Sequence, residues 1–347
     1  MAWKTHRNGW NRRRAAKAAP ATAAAGALLL ALLVVLSVLA FLLGSSSVSF
    51  GEFVAWVSGA PVDASAKSIL VNVRLPRVLA ALVAGACLAV SGAIIQAVLD
   101  NPLASPNIIG VNAGAGLFVL LAASLLPQAT WLAPAAAFAG ALCSALIVFA
   151  ISTHAGASRL AVVLAGIAIT AVFAAGMNTV LILDPDAYVG SSMFLSGGLS
   201  GVLLGDLAWP SAFAAAGLAI GFVGARRLDI ISLGDEAAHG LGMNVRANRL
   251  ALLAVAALLA GAAVSFAGLL GFVGLVVPHI VRFFAGADNR LVLPLSALSG
   301  AAFVVGCDLL TRIVFAPYEV PVGIPMAFLG GPFFIYLIFK NRRTDIG

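Results

Sequence analysis

The chain has 347 residues, of which 62% are hydrophobic and only 10% charged, and its mean hydropathy is +1.09. Soluble domains carry about 25% charged residues, so this composition excludes an ordinary water-soluble fold. The net charge of +7 invites a nucleic-acid reading, which the distribution of that charge removes below.

In lipid, backbone polar groups must bond internally, which leaves helices or closed barrels. Barrel strands alternate over about 10 residues. Here the apolar runs are continuous and about 20 long, as spanning helices require. The expected class is an all-α polytopic membrane protein. Cys87, Cys143 and Cys307 lie in such runs without metal-ligand spacing and read as small packing residues.

Residues 1–20 form a basic tail. It resembles the start of a signal peptide, but the apolar run that follows, 21–43, is too long for a signal core. It reads as span 1 with a retained anchor. Nine further spans are expected at 78–99, 108–126, 131–153, 161–183, 207–223, 250–266, 269–284, 293–310 and 326–339. The eighth carries Pro278 and His279, where a helix break is expected. The ten spans make one transmembrane domain over 21–340, with a short tail at 341–347.

Ten spans put both termini on one side. With the N-terminus inside, only Lys67, Arg74, Arg77 and Arg312 of the twenty basic residues fall outside. The positive-inside rule therefore makes both termini cytoplasmic. The charge marks a membrane face, and nucleic acid is not needed.

A faint echo at an offset of 176 relates "LVAGACLAVSG" (82–92) to "LLAGAAVSFAG" (258–268). Inverted repeats of this kind occur in transporters. Gly110-x-x-x-Gly114 and Gly197-x-x-x-Gly201 read as close-packing patterns between helices.

Between spans six and seven comes "ISLGDEAAHGLGMNVRANR" (231–249). Ser232-Leu233-Gly234-Asp235 fits a capping box. Asp235 and Glu236 then sit at the positive end of the helix dipole, and Gly242 is a natural stop. A helix of about nine residues over 232–242 follows, about 13 Å long. Leu233, Ala237 and Leu241 recur at i, i+4, i+8 as one apolar stripe. So short a helix is unstable alone, so it packs on the chain's own underside or on another protein. Glu236-x-x-His239 matches a fragment of a di-iron motif. That motif needs more glutamates than Glu52, Glu236 and Glu319 supply.

The residues resemble the FecCD-type permeases of type II ABC importers. "RLPRVLAALVAGACLAVSGAIIQAVLDNPLASPNIIGVNAGA" (74–115), "FLSGGLSG" (194–201) and "LGDEAAHGLGMNV" (233–245) carry the likeness. So do "FAGLLGFVGLVVPHIVRFFAGADNR" (266–290) and "GCDLLTRIVFAPYEVPVGIPMAFLGGPFFIYLI" (306–338). A mild departure is Pro325-Met326, where a Thr-Ala pair is more usual. The resemblance implies a pair of permease chains, as homodimer or heterodimer. It also implies two cytoplasmic ATPase subunits, an external substrate-binding protein and a bacterial plasma membrane. The cargo it implies is a ferric siderophore, haem or cobalamin.

The resemblance also makes Leu233, Gly234, Asp235, Glu236, Ala237, Ala238, His239, Leu241 and Gly242 a coupling helix that grips the ATPase. The chain has no G-x-x-x-x-G-K-[ST], so ATP and Mg²⁺ are expected on that partner and no cofactor on this chain. Arg74, Arg77 and Arg312 match arginines that receive acidic side chains of the binding protein. The alternative reading of Arg312 is an i, i+4 pair with Asp308. Gln96, Asn101, Pro102, Pro278 and His279 are the candidates for the pathway or its gate, with turn-forming and local bonding as the alternative. No catalytic residue or metal site is expected. The rival class, an ion-coupled secondary transporter, needs acids within the membrane.

Overall fold

The computed structural model describes residues 24–44, 48–156, 158–316 and 318–342. The tail 1–20 and residues 343–347 lie outside them. Fourteen α-helices are described. α1 spans Ala24–Leu42. It is followed by α2 (Phe50–Ser58), α3 (Ala64–Ser68), α4 (Leu75–Leu99), α5 (Val111–Leu125), α6 (Ala133–His154) and α7 (Arg159–Leu183). Then come α8 (Pro185–Ser196), α9 (Leu204–Ile231), α10 (Asp235–Gly240), α11 (Val245–Ala267), α12 (Val273–Ala285), α13 (Asn289–Val314) and α14 (Gly323–Arg342).

Seven helical segments are long and apolar enough to cross a membrane, and α5, α12 and the start of α14 are shorter apolar helices. Together they coincide with the ten expected spans. α4 is the central element, packed on α9, α11, α12 and α13. α1 and α7 lie at the periphery with mostly exposed apolar faces. Close packing at the centre depends on glycine. A Cβ at Gly92 would sit 1.8 Å from the carbonyl oxygen of Gly274, so α4 and α12 meet backbone to backbone. The pair Gly85 and Gly300 does the same for α4 and α13. This is the small-residue packing that membrane interiors favour. Gly114 likewise meets Gly140 of α6.

Two spans are shorter than expected, and the reason is shared. α5 has 15 residues and α12 has 13, about 22 and 20 Å, too short for a core of about 30 Å. Each begins inside the bundle, short of its end. Ile108 presses its carbonyl on Gly166 in the first third of α7, and Gly274 meets α4 at Gly92. The irregular stretches that lead into them are enclosed by neighbouring helices where they join the bundle, with Pro106, Ile109, Gly110, Gly268 and Leu270 buried. Only such cover tolerates non-helical backbone at that depth. Asn112 Nδ2 donates to Leu270 O at 3.4 Å and so bridges the two starts. The two echoing stretches, 82–92 and 258–268, lie in α4 and near the end of α11. At the same offset Pro102 falls against Pro278, but Pro102 lies in a turn and Pro278 inside α12.

Several sequence expectations are corrected. The break of span eight lies before α12, at Gly268–Phe272, and not at Pro278. Phe272 there has φ 64°. Gly197-x-x-x-Gly201 is not a helix–helix pattern, because α8 ends at Ser196 and Gly197 (φ 74°) caps it. That segment is a junction: Phe194 O accepts from Leu269 N (2.9 Å), and Gly197 O accepts from Gly323 N (2.9 Å). α9 runs to Ile231, well past the expected 223, because it leaves the apolar layer with the exposed Arg226 and Arg227 on its last turns.

α2, α3 and α8 were not expected. α2 starts in a full capping box, with Ser49 N and Oγ each 2.7 Å from Glu52 Oε2. Those bonds hold the Glu52 carboxyl below its ordinary range, as the Ser65 hydroxyl and N–H do for Asp63.

Candidate functional site

The charged side chains gather at the two ends of α4, about 37 Å apart at 1.5 Å per residue. At one end, α10 leaves the bundle as a separate rod. It is six residues long, about 9 Å, and not nine. Ser232 does not cap it. Its hydroxyl donates to Leu228 O at 2.8 Å and closes α9 instead. The N-cap is Gly234 at φ 97°, a conformation open to glycine without strain. Gly242, at φ 80°, ends the turn as expected.

Ala238 is buried and faces the bundle, whereas Leu233 and Leu241 are 63% and 65% exposed. Ala237, Glu236, His239, Gly240 and Gly242 are exposed as well. The expected apolar stripe therefore points away from the chain. The two leucines flank the helix on either side.

Asp235 fixes the rod to the bundle. Its Oδ1 lies 2.7 Å from Arg249 Nη2 on α11 and 3.7 Å from Arg159 Nη2 at the start of α7. Arg159 Nη1 lies 2.8 Å from Asp100 Oδ2 at the end of α4. Asp100 itself sits at φ 50°, with its N–H on Gln96 O. Sequence reasoning assigned Asp235 to the helix dipole and missed both arginine partners. The sequence signal was their position within the basic inner segments.

The gate candidates divide. Gln96 is buried at 3% exposure. Its Nε2 donates to Leu275 O (3.2 Å) and Gly274 O (3.5 Å). The reason lies in Pro278, whose missing N–H leaves the carbonyl of Gly274 without its helical donor. Gln96 supplies a substitute. Pro278 is buried inside α12, and His279 beside it packs edge-on against Phe333 at 6.3 Å. Asn101 Oδ1 accepts from Leu103 N at 2.9 Å, a local turn. Pro102 is exposed in the same turn. Thus Gln96 and Pro278 form one unit with α12, and Asn101 and Pro102 form another at the end of α4.

At the opposite end, the structure brings the three expected arginines together. Asp308 is 1% exposed and lies 2.8 Å from Arg77 Nε and 2.7 Å from Arg312 Nη2. Arg312 also donates to Ala40 O at 2.9 Å, and Arg74 donates to Phe41 O. The network clamps α1, α4 and α13. The exposures of Arg74, Arg77 and Arg312 are 3%, 5% and 9%. Their guanidinium groups are engaged within the chain by resident partners. The most accessible one is Glu319, 3.6 Å from Arg77 Nη1 with its side chain 43% exposed. Among the described residues, no three His, Cys, Asp or Glu side chains gather as a metal site.

The FecCD transport family matches residues 22–340. The chain is 40% identical over 289 residues to the haemin transport system permease protein HmuU of Yersinia pestis, covering 80% of this chain and 85% of that one. It is 39% identical over 282 residues to the Fe(3+)-citrate import system permease protein YfmD of Bacillus subtilis, with 81% and 84% covered. It is 39% identical over 285 residues to the cobalamin import system permease protein BtuC of Halobacterium salinarum, with 82% and 76% covered. Among solved structures, a metal-chelate type ABC transporter in an inward-facing conformation superposes with a TM-score of 0.79 at 26% identity, covering 90% of this chain and 97% of that one. With its ten apolar helices and this match along nearly its whole length, the chain belongs to the FecCD transport family of membrane permeases.

Proposed function

We propose that this chain is the permease subunit of an ATP-driven importer, and that it carries a ferric siderophore from an external binding protein into the cytoplasm by alternating access. It works as one of a pair of permease chains in the plasma membrane, with both termini cytoplasmic. Two ATPase subunits bind the ATP and Mg²⁺. The observation that carries this reading is α10, a rod anchored through Asp235 whose Leu233–Ala237–Leu241 face is exposed at the arginine-rich end. Such a face gives a nucleotide-driven partner something to hold. Without a differential grip on two states, nucleotide would shift nothing.

Docking of the binding protein is assigned to the opposite end, around Arg74, Arg77 and Arg312. There the exposed Glu319 is the resident acid with which a receptor carboxylate competes. The planar guanidinium, which holds a carboxylate through two parallel N–H bonds, suits that exchange.

Haem is the second reading, suggested by a haemin permease among the relatives, at an identity that a probable siderophore permease of Bacillus subtilis equals. A secondary transporter is disfavoured by the pairing of Asp308. This acid is deeply buried, and Arg77 and Arg312 both hold it at ion-pair distance, so it is already engaged within the chain. The deciding experiment is uptake by proteoliposomes holding the permease, its ATPase and its binding protein. Ferric siderophore should enter only with ATP, and haemin and cobalamin should not. Entry of haemin alone would move the cargo assignment, and entry driven by an ion gradient without ATPase would overturn the class.

A further inference from the structure

One guanidinium touches three elements at the α10 end. Arg159 Nη1 is 2.8 Å from Asp100 on the end of α4. Its Nη2 is 3.7 Å from Asp235 on α10 and 3.5 Å from the carbonyl of Ile231 at the end of α9. Ser158 caps the helix that carries it, accepting from Ala161 N at 3.1 Å, so the base of the arginine is fixed.

The two carboxylates are held unequally. Asp100 is close to Arg159. Asp235 is close to Arg249 and only within reach of Arg159. α10 thus has its own anchor on α11, and Arg159 senses its position without being needed to hold it.

From Asp100 the connection continues. The N–H groups of Asp100 and Asn101 both donate to Gln96 O, and the Gln96 side chain bonds the carbonyls of Gly274 and Leu275. The loop that follows, 101–110, leads to the start of α5.

The geometry points to Arg159 as a positioning residue that relays displacement of α10 to the end of α4 and the 101–110 loop. The inference rests on the reading that α10 seats on an ATPase. A planar fork suits the task, because it addresses two carboxylates at once where an ammonium is a single point charge.

The test uses the full permease in lipid nanodiscs with its ATPase, with and without ATP and vanadate, followed by hydrogen exchange. In the unsubstituted protein, ATPase binding should protect 233–242, and nucleotide should change exchange over 101–110 by about fivefold or more. Arg159→Gln should keep the protection at 233–242 and reduce the nucleotide response at 101–110 to less than about twofold. Arg159→Lys should fail to restore it.

A nucleotide response at 101–110 that survives Arg159→Gln overturns the relay. Full rescue by lysine overturns it too, because a mere electrostatic brace needs no fork. Loss of protection at 233–242 in Arg159→Gln would make Arg159 an anchor of α10, which also contradicts the proposal. Absence of that protection in the unsubstituted protein would instead remove the ATPase reading beneath it.

Discussion

Arg249 holds the carboxylate of Asp235 at 2.7 Å, and the two side chains are unequally covered, 4% exposed for the arginine and 56% for the acid. The buried guanidinium cannot leave, so the acid, and α10 with it, is held at the surface of α11. Asp235→Ala should loosen α10 without unfolding the bundle. Because the acid is more than half exposed, solvent screens the pair, and the cost is about 1 kcal/mol. Hydrogen exchange over 235–240 should then quicken by about fivefold, with α4 and α11 unchanged. An unchanged rate would mean that α10 is held by Ala238 packing alone.

The clamp at the other end should be far more costly to break. Asp308→Ala leaves Arg77 and Arg312 buried without their charge partner, which costs about 3–5 kcal/mol. Glu319→Gln touches only a half-exposed acid and should cost under about 1 kcal/mol. Thermal unfolding of the two variants in the same detergent measures the difference. Equal melting temperatures would show that the clamp does not hold α1, α4 and α13 together.

Gln96 and Pro278 should be coupled. Gln96→Ala orphans the carbonyl of Gly274, a loss of about 1–3 kcal/mol for a buried acceptor. Pro278→Ala supplies an N–H to that carbonyl within α12. A double-mutant cycle should therefore find Gln96→Ala less costly, by about 1 kcal/mol, when Pro278 is already alanine. Additive effects would separate the two residues.

The glycine contacts set a sharp limit. Gly92→Ala places a methyl 1.8 Å from a backbone oxygen on α12. Neither backbone gives way cheaply in a close-packed interior. The variant should fail to accumulate as folded protein, whereas Gly205→Ala, with open space around it, should accumulate normally by fluorescence-detected size-exclusion chromatography. Normal yield of Gly92→Ala would mean that α4 and α12 are farther apart than described.

The apolar spans were legible because lipid leaves a helix no alternative to a long greasy run. α2 and α8 were not, since they carry no such run and depend on local caps at Ser49 and Asp184. Ser232 misled for a related reason. A serine before an acidic turn satisfies the capping pattern, yet here the hydroxyl finds Leu228 O first because α9 continues beyond the lipid layer. The partners Arg159 and Arg249 lie 76 and 14 residues from Asp235 along the chain, and only the packing of α7 and α11 brings them to it. Gln96 stood out as polar in an apolar helix, but its task became clear only when Pro278 was found one helix away, leaving a carbonyl for it to satisfy.

The central claim is that the exposed leucines flanking α10, Leu233 and Leu241, are the handle of a separate motor. Its most direct test is the affinity of the purified ATPase for the permease carrying Leu233→Glu and Leu241→Glu together. Both side chains are more than half exposed, so the permease itself should remain folded. The account predicts binding weakened by at least about tenfold, with ATP-driven uptake lost in proportion. Binding equal to that of the unsubstituted chain would contradict it.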